Sequence, residues 1–339
     1  MNQVFVGGTF FHIYVSILRT VFREDKKSKS LFINNNYTPG IDRVVPALRE
    51  SGFFDDVALI DFGPVSKAVR EKLNLFHRMF GREKIMMGFL EKNSDILKYR
   101  DFISQSDINL FHHKGLSSGY FILKFPKNFF RMLEDGSRNY FSEISPMKHF
   151  RRKYLLNTFV GEGLDDCVKE IHVQHPERLP APTRHKGVKL ELKQMQQNLS
   201  RDENQRILNV FMNNQSVDLK GDKKLLLITQ TLSEDRYTTE EYKIDLYRKI
   251  IEDHAAGYKL YIKPHPRETT DYRKKLDCDF TEIPRSFPME MFDLMKNITF
   301  DRGITISCNP IFNIDCVRDK IMLGKEIVKE RLAGKVMYQ

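Results

Sequence analysis

Cysteine is scarce in this chain and wrongly spaced for metal. Cys167, Cys278, Cys308 and Cys316 are the four in 339 residues, no two form a CxxC pair, and no Cys/His cluster has zinc-ligand spacing. Four is also too few for a disulfide framework, so they read as small buried hydrophobes in a reducing compartment. Long apolar runs are missing as well. The opening stretch, residues 1–22, has neither a basic leader nor a small-residue cleavage site. Its apolar run is interrupted by His12 and closed by Arg19, too short and too polar to span a bilayer. The expectation is an intracellular chain, soluble or resting on a membrane surface. Internal repeats and low-complexity segments are absent. Acid falls short of base, 45 Asp and Glu against 55 Lys and Arg, for a formal charge of +10. That balance points to an anionic partner: a nucleotide, a phosphorylated lipid, a membrane face or a nucleic acid. Nucleic acid fits least, because the basic residues are scattered and no DNA- or RNA-binding motif occurs.

What is present is globular. Hydrophobic residues at 41% and charged residues at 29% exclude disorder throughout, collagen and a coiled coil. Short apolar runs alternate with longer amphipathic ones, the pattern of α/β architecture. Strands are expected at 3–6, 30–34, 57–61, 108–112 and 130–133, with helices at 10–22, 42–50 and within 66–93. A second set starts near Lys223, with strands at 225–229, 258–263 and 304–307 and helices at 238–256, 289–295 and 319–332. The stretch 150–221 between them is basic, then proline-bearing, then polar and helix-like. The expected domains are therefore an N-terminal Rossmann-like domain over 1–185, a linker with a helix over 186–222, a C-terminal Rossmann-like domain over 223–320 and a terminal helix over 321–339. Two facing domains of this kind hold ligands in the cleft at the carboxyl ends of their strands.

Three segments can carry chemistry. In Leu133-Glu134-Asp135-Gly136-Ser137-Arg138-Asn139-Tyr140 a strand ends in two acids and a glycine that permits a sharp turn. Adjacent carboxylates raise one another's proton affinity, and either suits a general base; an ordinary Asp-Gly turn is the alternative. In Tyr261-Ile262-Lys263-Pro264-His265-Pro266-Arg267 a strand delivers a histidine fixed between two prolines, with Lys263 and Arg267 as candidate anion-binding cations. Its imidazole suits a leaving phosphate; the alternative is a rigid loop with solvated charges. His175-Pro176 has the same dipeptide in less basic surroundings and reads as structural. In Ile304-Thr305-Ile306-Ser307-Cys308-Asn309-Pro310 hydroxyl and amide groups follow a strand and offer donors to a phosphate or carboxylate, or merely cap a helix. Gly7-Gly8-Thr9 fits neither G-x-G-x-x-G nor the phosphate-loop pattern, so Gly8 and Thr9 border a ligand site or form a plain turn. Glu290 of Pro288-Met289-Glu290 suits ribose hydroxyls or a solvated helix start. Asp165-Asp166 and Asp277-Cys278-Asp279 read as surface acids rather than metal ligands.

In this order the segments resemble the bacterial sialyltransferases of the GT-B fold, most of all glycosyltransferase family 52 and its polysialyltransferase relatives. The family's acidic-acidic-Gly motif matches Glu134-Asp135-Gly136 and its His-Pro motif matches His265-Pro266. Of its serine-rich motif only Ser307 matches, with Thr305 nearby and Cys308 as a departure. Residues 227–234 resemble a further family segment, with Gln230 kept and Thr231 in place of the usual proline. The resemblance implies inverting, metal-independent transfer of sialic acid from CMP-sialic acid to a glycan hydroxyl of capsule or lipooligosaccharide, with no cofactor. It makes Asp135 the base, with Glu134 as the alternative, and places His265 on the leaving phosphate. Lys263, Pro266, Arg267, Glu290, Thr305, Ser307, Asn309 and Gln230 are then donor-binding. The basic balance suggests a cytoplasmic location, peripheral on the anionic inner face of the bacterial membrane where a lipid-linked acceptor is found, with scattered charge that merely aids solubility as the alternative. CMP-Kdo, another CMP-nonulosonic acid or a polyol phosphate are the alternative donors.

Overall fold

The computed structural model describes residues 1–35, 38–62, 82–111, 116–140, 145–155, 160–212, 219–295, 298–324 and 326–328. The chain divides into two compact units, Met1–Ile207 and Leu208–Gln339.

The first unit is built on a seven-stranded sheet of β1 (Asn2–Gly7), β2 (Ser30–Asn34), β3 (Asp56–Leu59), β4 (Ser106–Leu110), β5 (Phe130–Leu133), β6 (Val168–Val173) and β7 (Gly187–Lys189), in the order β3-β2-β1-β4-β5-β6-β7. Every pairing is parallel. A parallel sheet is covered on both faces, so its inner strands need no polar face. That is why Ser30–Asn34 is buried at all five positions. Along one face Val4, Val6, Leu31, Ile33, Ile108, Leu110, Phe130, Met132 and Ile171 form one core, the alternation expected of a two-residue period. Phe5, Phe32 and Phe54 pack on the opposite face. The edge strands β3 and β7 have two exposed positions each, and the inner strand β6 has one, at Lys169. Helix α1 (Phe10–Val21) follows β1 and starts at Thr9, whose hydroxyl accepts the His12 N–H at 3.1 Å.

The second unit repeats the scheme with β8 (Lys224–Ile228), β9 (Lys259–Lys263), β10 (Thr281–Glu282), β11 (Phe300–Thr305) and β12 (Val317–Met322), all parallel, in the order β10-β9-β8-β11-β12. Leu225, Leu227, Ile262 and Ile304 meet Ile244, Tyr247 and Ile250 of the helix Glu240–His254. In each unit the strand order reverses once, between β1 and β4 and between β8 and β11. Those switch points are where open α/β sheets bind ligands, beyond the carboxyl ends of the strands.

Several sequence expectations need correction. The terminal helix expected from residue 319 begins as strand β12 instead: Val317–Met322 pairs with β11 from Phe300↔Val317 to Thr305↔Met322. Its alternating charges resemble a solvated helix face, and only the sheet edge makes it a strand. The strand expected at 304–307 lies earlier, at Phe300–Thr305. The stretch expected to be a linker contributes β7 to the first sheet, followed by helices Leu192–Gln197 and Arg201–Met212. Of the four cysteines, expected to be buried, Cys316 is buried, Cys167 and Cys308 are partly buried and Cys278 is exposed. The helical stretch 66–93 falls partly outside the described residues; its last part is the helix Arg82–Asn93.

Candidate active site

In the first unit the acidic turn sits at the carboxyl end of β5. Gly136 takes φ +83, a left-handed conformation that suits glycine, and Asn139 Oδ1 accepts the Asp135 N–H at 2.6 Å to close the turn. The two carboxylates then diverge. Glu134 turns inward: its oxygens accept the Gln174 backbone N–H at 2.6 Å and the Gln174 side-chain amide at 3.1 Å, just beyond β6. The Tyr140 hydroxyl adds a third donor, and burial pushes the Glu134 carboxyl above its ordinary range against all three. Asp135 points the other way and keeps 15% side-chain exposure.

Asp135 Oδ1 lies 2.6 Å from Nε2 of His12, a fully buried residue in the first turn of α1. His12 reaches across the end of β4, its ring stacked on Phe111 with centroids 4.3 Å apart. Its Nδ1 accepts the Gly8 N–H at 3.1 Å. A Cβ on Gly7 would meet His12 Cβ at 2.7 Å, so glycine there lets helix and strand approach. Gly8 and Thr9 therefore reach Asp135 through His12: one holds its ring and the other caps its helix. Sequence reasoning missed His12. The available signal was a polar residue three positions after the Thr9 cap, on a helix otherwise apolar on nearly every side.

In the second unit the His-Pro turn leaves β9. His265 Nδ1 accepts the Arg267 N–H at 3.1 Å, so the proton of the neutral ring sits on Nε2. Burial, with Arg267 and Lys263 nearby, depresses the imidazole to about 4. The turn is anchored by Glu268, whose carboxylate accepts the His265 N–H at 2.6 Å, the Thr229 hydroxyl at 2.5 Å and the Tyr272 hydroxyl at 2.7 Å. Lys243, fully buried on the helix Glu240–His254, lies 2.7 Å from Glu268 and 2.9 Å from Glu234. Glu234 also accepts the Thr269 N–H at 2.7 Å. Burial alone would raise its carboxyl, but these donors outweigh it and hold the group at about 2. Glu268 and Lys243 were likewise not identified from sequence, where a charged residue in a loop or on a helix reads as solvated.

Across the switch point, the Gln230 side chain beyond β8 meets the turn beyond β11. With its amide nitrogen donating to Ser307 Oγ at 3.0 Å and its oxygen accepting the Cys308 N–H at 3.0 Å, both ends are satisfied. Thr305 is buried, and its hydroxyl also accepts the Cys308 N–H. Burial, together with the charge of Glu290, pushes the Cys308 thiol up to about 11 and keeps it neutral. Glu290 thus stands beside this turn, from the 3-10 helix Met289–Leu294, and Asn309 opens the 3-10 helix Asn309–Asn313.

The two expected cations behave otherwise. Lys263 is buried, its ammonium donating to the Pro264 carbonyl at 2.7 Å, and burial brings it down to about 8. Arg267 is paired in fork geometry with Asp235, at 3.0 and 3.1 Å. His265, Gln230 and Ser307 thus all lie just beyond the carboxyl ends of the inner strands β9, β8 and β11, with Pro266 in the His265 turn and Lys263 buried on β9. Among the described residues no group of three or more His, Cys, Asp or Glu side chains is placed to hold a metal ion.

Comparison with known proteins bears on the family and the fold. The model of glycosyltransferase family 52 matches residues 64–321. An uncharacterized protein of Haemophilus influenzae is 30% identical over 214 residues, 62% of this chain and 67% of that one. The GT-B domain of a sialyltransferase from Photobacterium damselae superposes with a TM-score of 0.54 at 11% identity, covering 94% of this chain and 90% of that one. A UDP-GlcNAc 2-epimerase from Methanocaldococcus jannaschii, in complex with UDP-GlcNAc and UDP, gives 0.51 at 14% identity, covering 98% and 92%. At such identities the likeness is one of fold, and the fold is GT-B.

Proposed function

The chain belongs to glycosyltransferase family 52, and on that footing we propose that it is an inverting, metal-independent sialyltransferase acting on CMP-sialic acid. The observation that carries this reading is the state of His265. A neutral imidazole with its proton on Nε2 in the turn after β9, together with Gln230 after β8 and Ser307 after β11, is a donor set for a leaving phosphate at the carboxyl end of one sheet.

In a single displacement the acceptor hydroxyl oxygen bonds to the anomeric carbon as the bond from that carbon to the CMP phosphate breaks. The centre inverts. The hydroxyl proton passes to Asp135, the partly exposed carboxylate, while Glu134 is held inward by Gln174. The phosphate oxygen keeps the electron pair and accepts a hydrogen bond from His265 Nε2. A phosphomonoester has its second pKa at about 6, so it departs at neutral pH without taking a proton. Ser307 and Gln230 bind the phosphate or the donor carboxylate, and Glu290 the ribose. The acceptor assigned is a lipid-linked glycan of capsule or lipooligosaccharide at the inner face of the cytoplasmic membrane, a reading supported by the +10 formal charge.

The test is CMP release from CMP-sialic acid without added metal, with and without galactose- and sialic-acid-terminated acceptors. Acceptor-dependent release, with a product heavier by one or more sialic acids, supports the reading. CMP binding without release moves the donor to CMP-Kdo or another CMP-nonulosonic acid. Neither binding nor release removes CMP donors altogether.

A further inference from the structure

His12 is buried to 0% exposure, and both of its ring nitrogens are engaged, Nδ1 by the Gly8 N–H and Nε2 by Asp135. Because Nδ1 accepts the Gly8 N–H, it carries no proton in the neutral ring. Nε2 therefore holds the proton and donates it to Asp135 Oδ1 at 2.6 Å. Exposure fixes the order of the pair: Asp135, at 15%, is the member a substrate can reach, and His12 stands behind it. The ring has little freedom. Phe111 covers one face at 4.3 Å and 14°, and Gly7 brings its Cβ against β1. Asn139 Oδ1 holds the Asp135 backbone N–H, whereas His12 Nε2 lies at the carboxylate itself. A fixed donor on one oxygen sets the direction of the other.

We propose that His12 is a positioning residue: a neutral, Nε2-protonated imidazole that holds the Asp135 carboxylate at the angle where it takes the proton of the acceptor hydroxyl. This rests on the reading of Asp135 as the base. His12 does not touch substrate, moves no proton itself, and acts only through Oδ1 of Asp135.

The experiment uses the full chain with CMP-sialic acid and a responsive acceptor. His12→Phe keeps the stacking on Phe111 and loses the donor. It should lower kcat by about 10²-fold, the scale of misplacing a catalytic group by about 1 Å, while the KM for CMP-sialic acid and the affinity for CMP stay within about twofold. His12→Gln, whose amide nitrogen reaches the place of Nε2, should recover most of that loss. A merely structural histidine gives neither the split between kcat and KM nor the rescue. Unchanged kcat in His12→Phe, or equal loss in a folded His12→Gln, overturns the proposal. Asp135→Asn is measured alongside. If it retains turnover, the base assignment fails; if it is dead while His12→Phe is fully active, only the positioning role fails. Nitrogen NMR of the histidines in the unaltered chain needs no variant: it should show His12 as the Nε2–H tautomer, and an Nδ1–H form or an imidazolium at neutral pH overturns the proposal.

Discussion

Gln174 donates its backbone N–H to Glu134 Oε2 at 2.6 Å, and this contact separates two carboxylates that are neighbours in the chain. Glu134 is committed to tying the turn after β5 to the end of β6. Replacing it with alanine should lower stability by about 1–3 kcal/mol, because it leaves the Gln174 and Tyr140 donors without their acceptor. CMP affinity should be unchanged. Thermal or urea unfolding reads the first expectation and calorimetry the second.

His265 titrates far below neutrality in the free protein, at about 4, through burial and the neighbouring Arg267 and Lys263 charges. A phosphate at Nε2 supplies the opposite charge and favours the imidazolium. Nitrogen NMR of the histidines should therefore show a neutral ring from about pH 5 upward without ligand, and an apparent pKa moved upward with saturating CMP. No shift with bound CMP would place the phosphate elsewhere.

Lys243, itself fully buried, neutralises the fully buried Glu268 and the partly buried Glu234. Lys243→Ala should cost about 3–5 kcal/mol, the scale of breaking a buried ion pair from one side. Because Glu268 also holds the His265 N–H, CMP affinity should fall in any fraction that remains folded. A loss under about 1 kcal/mol would mean the cluster is far more hydrated than its burial implies.

Acid should weaken the second unit in two windows. His265 is depressed from 6.5 to about 4, so the unfolded chain binds more protons between those values and stability falls as pH drops through them. Glu234 is depressed from 4.5 to about 2, so what it contributes is present above 4.5 and is lost on the way down to 2. Glu234→Gln should lower stability at neutral pH and flatten the loss below about pH 4.5. Urea midpoints across pH read both effects.

Much of this was legible in the chain because parallel strands leave an unambiguous mark. Val4 to Val6, Leu31 to Ile33 and Leu225 to Leu227 are apolar runs that only a doubly covered sheet needs. The acidic turn and the His-Pro turn announce themselves by glycine and proline at strand ends. What stayed hidden was partnership across distance. Val317–Met322 carries charges on an exposed edge and has no apolar period to betray a strand. Lys243 and Glu268 look solvated until folding buries them against each other, 25 positions apart in the chain. His12 looked like an interruption of an apolar helix, because its partner Asp135 lies 123 residues away. Lys263 misled in the opposite sense: beside a histidine it resembles an anion ligand, but its strand position turns it into the core.

Two measurements on one variant test the central claim most directly: equilibrium CMP binding and single-turnover transfer from CMP-sialic acid, in Asp135→Asn. Asp135 and the proposed donor site around His265 lie in different units, so CMP affinity should stay within about twofold of the parent while transfer falls by about 10²–10⁴-fold. Transfer at near-parent rate in a variant that still binds CMP would contradict it.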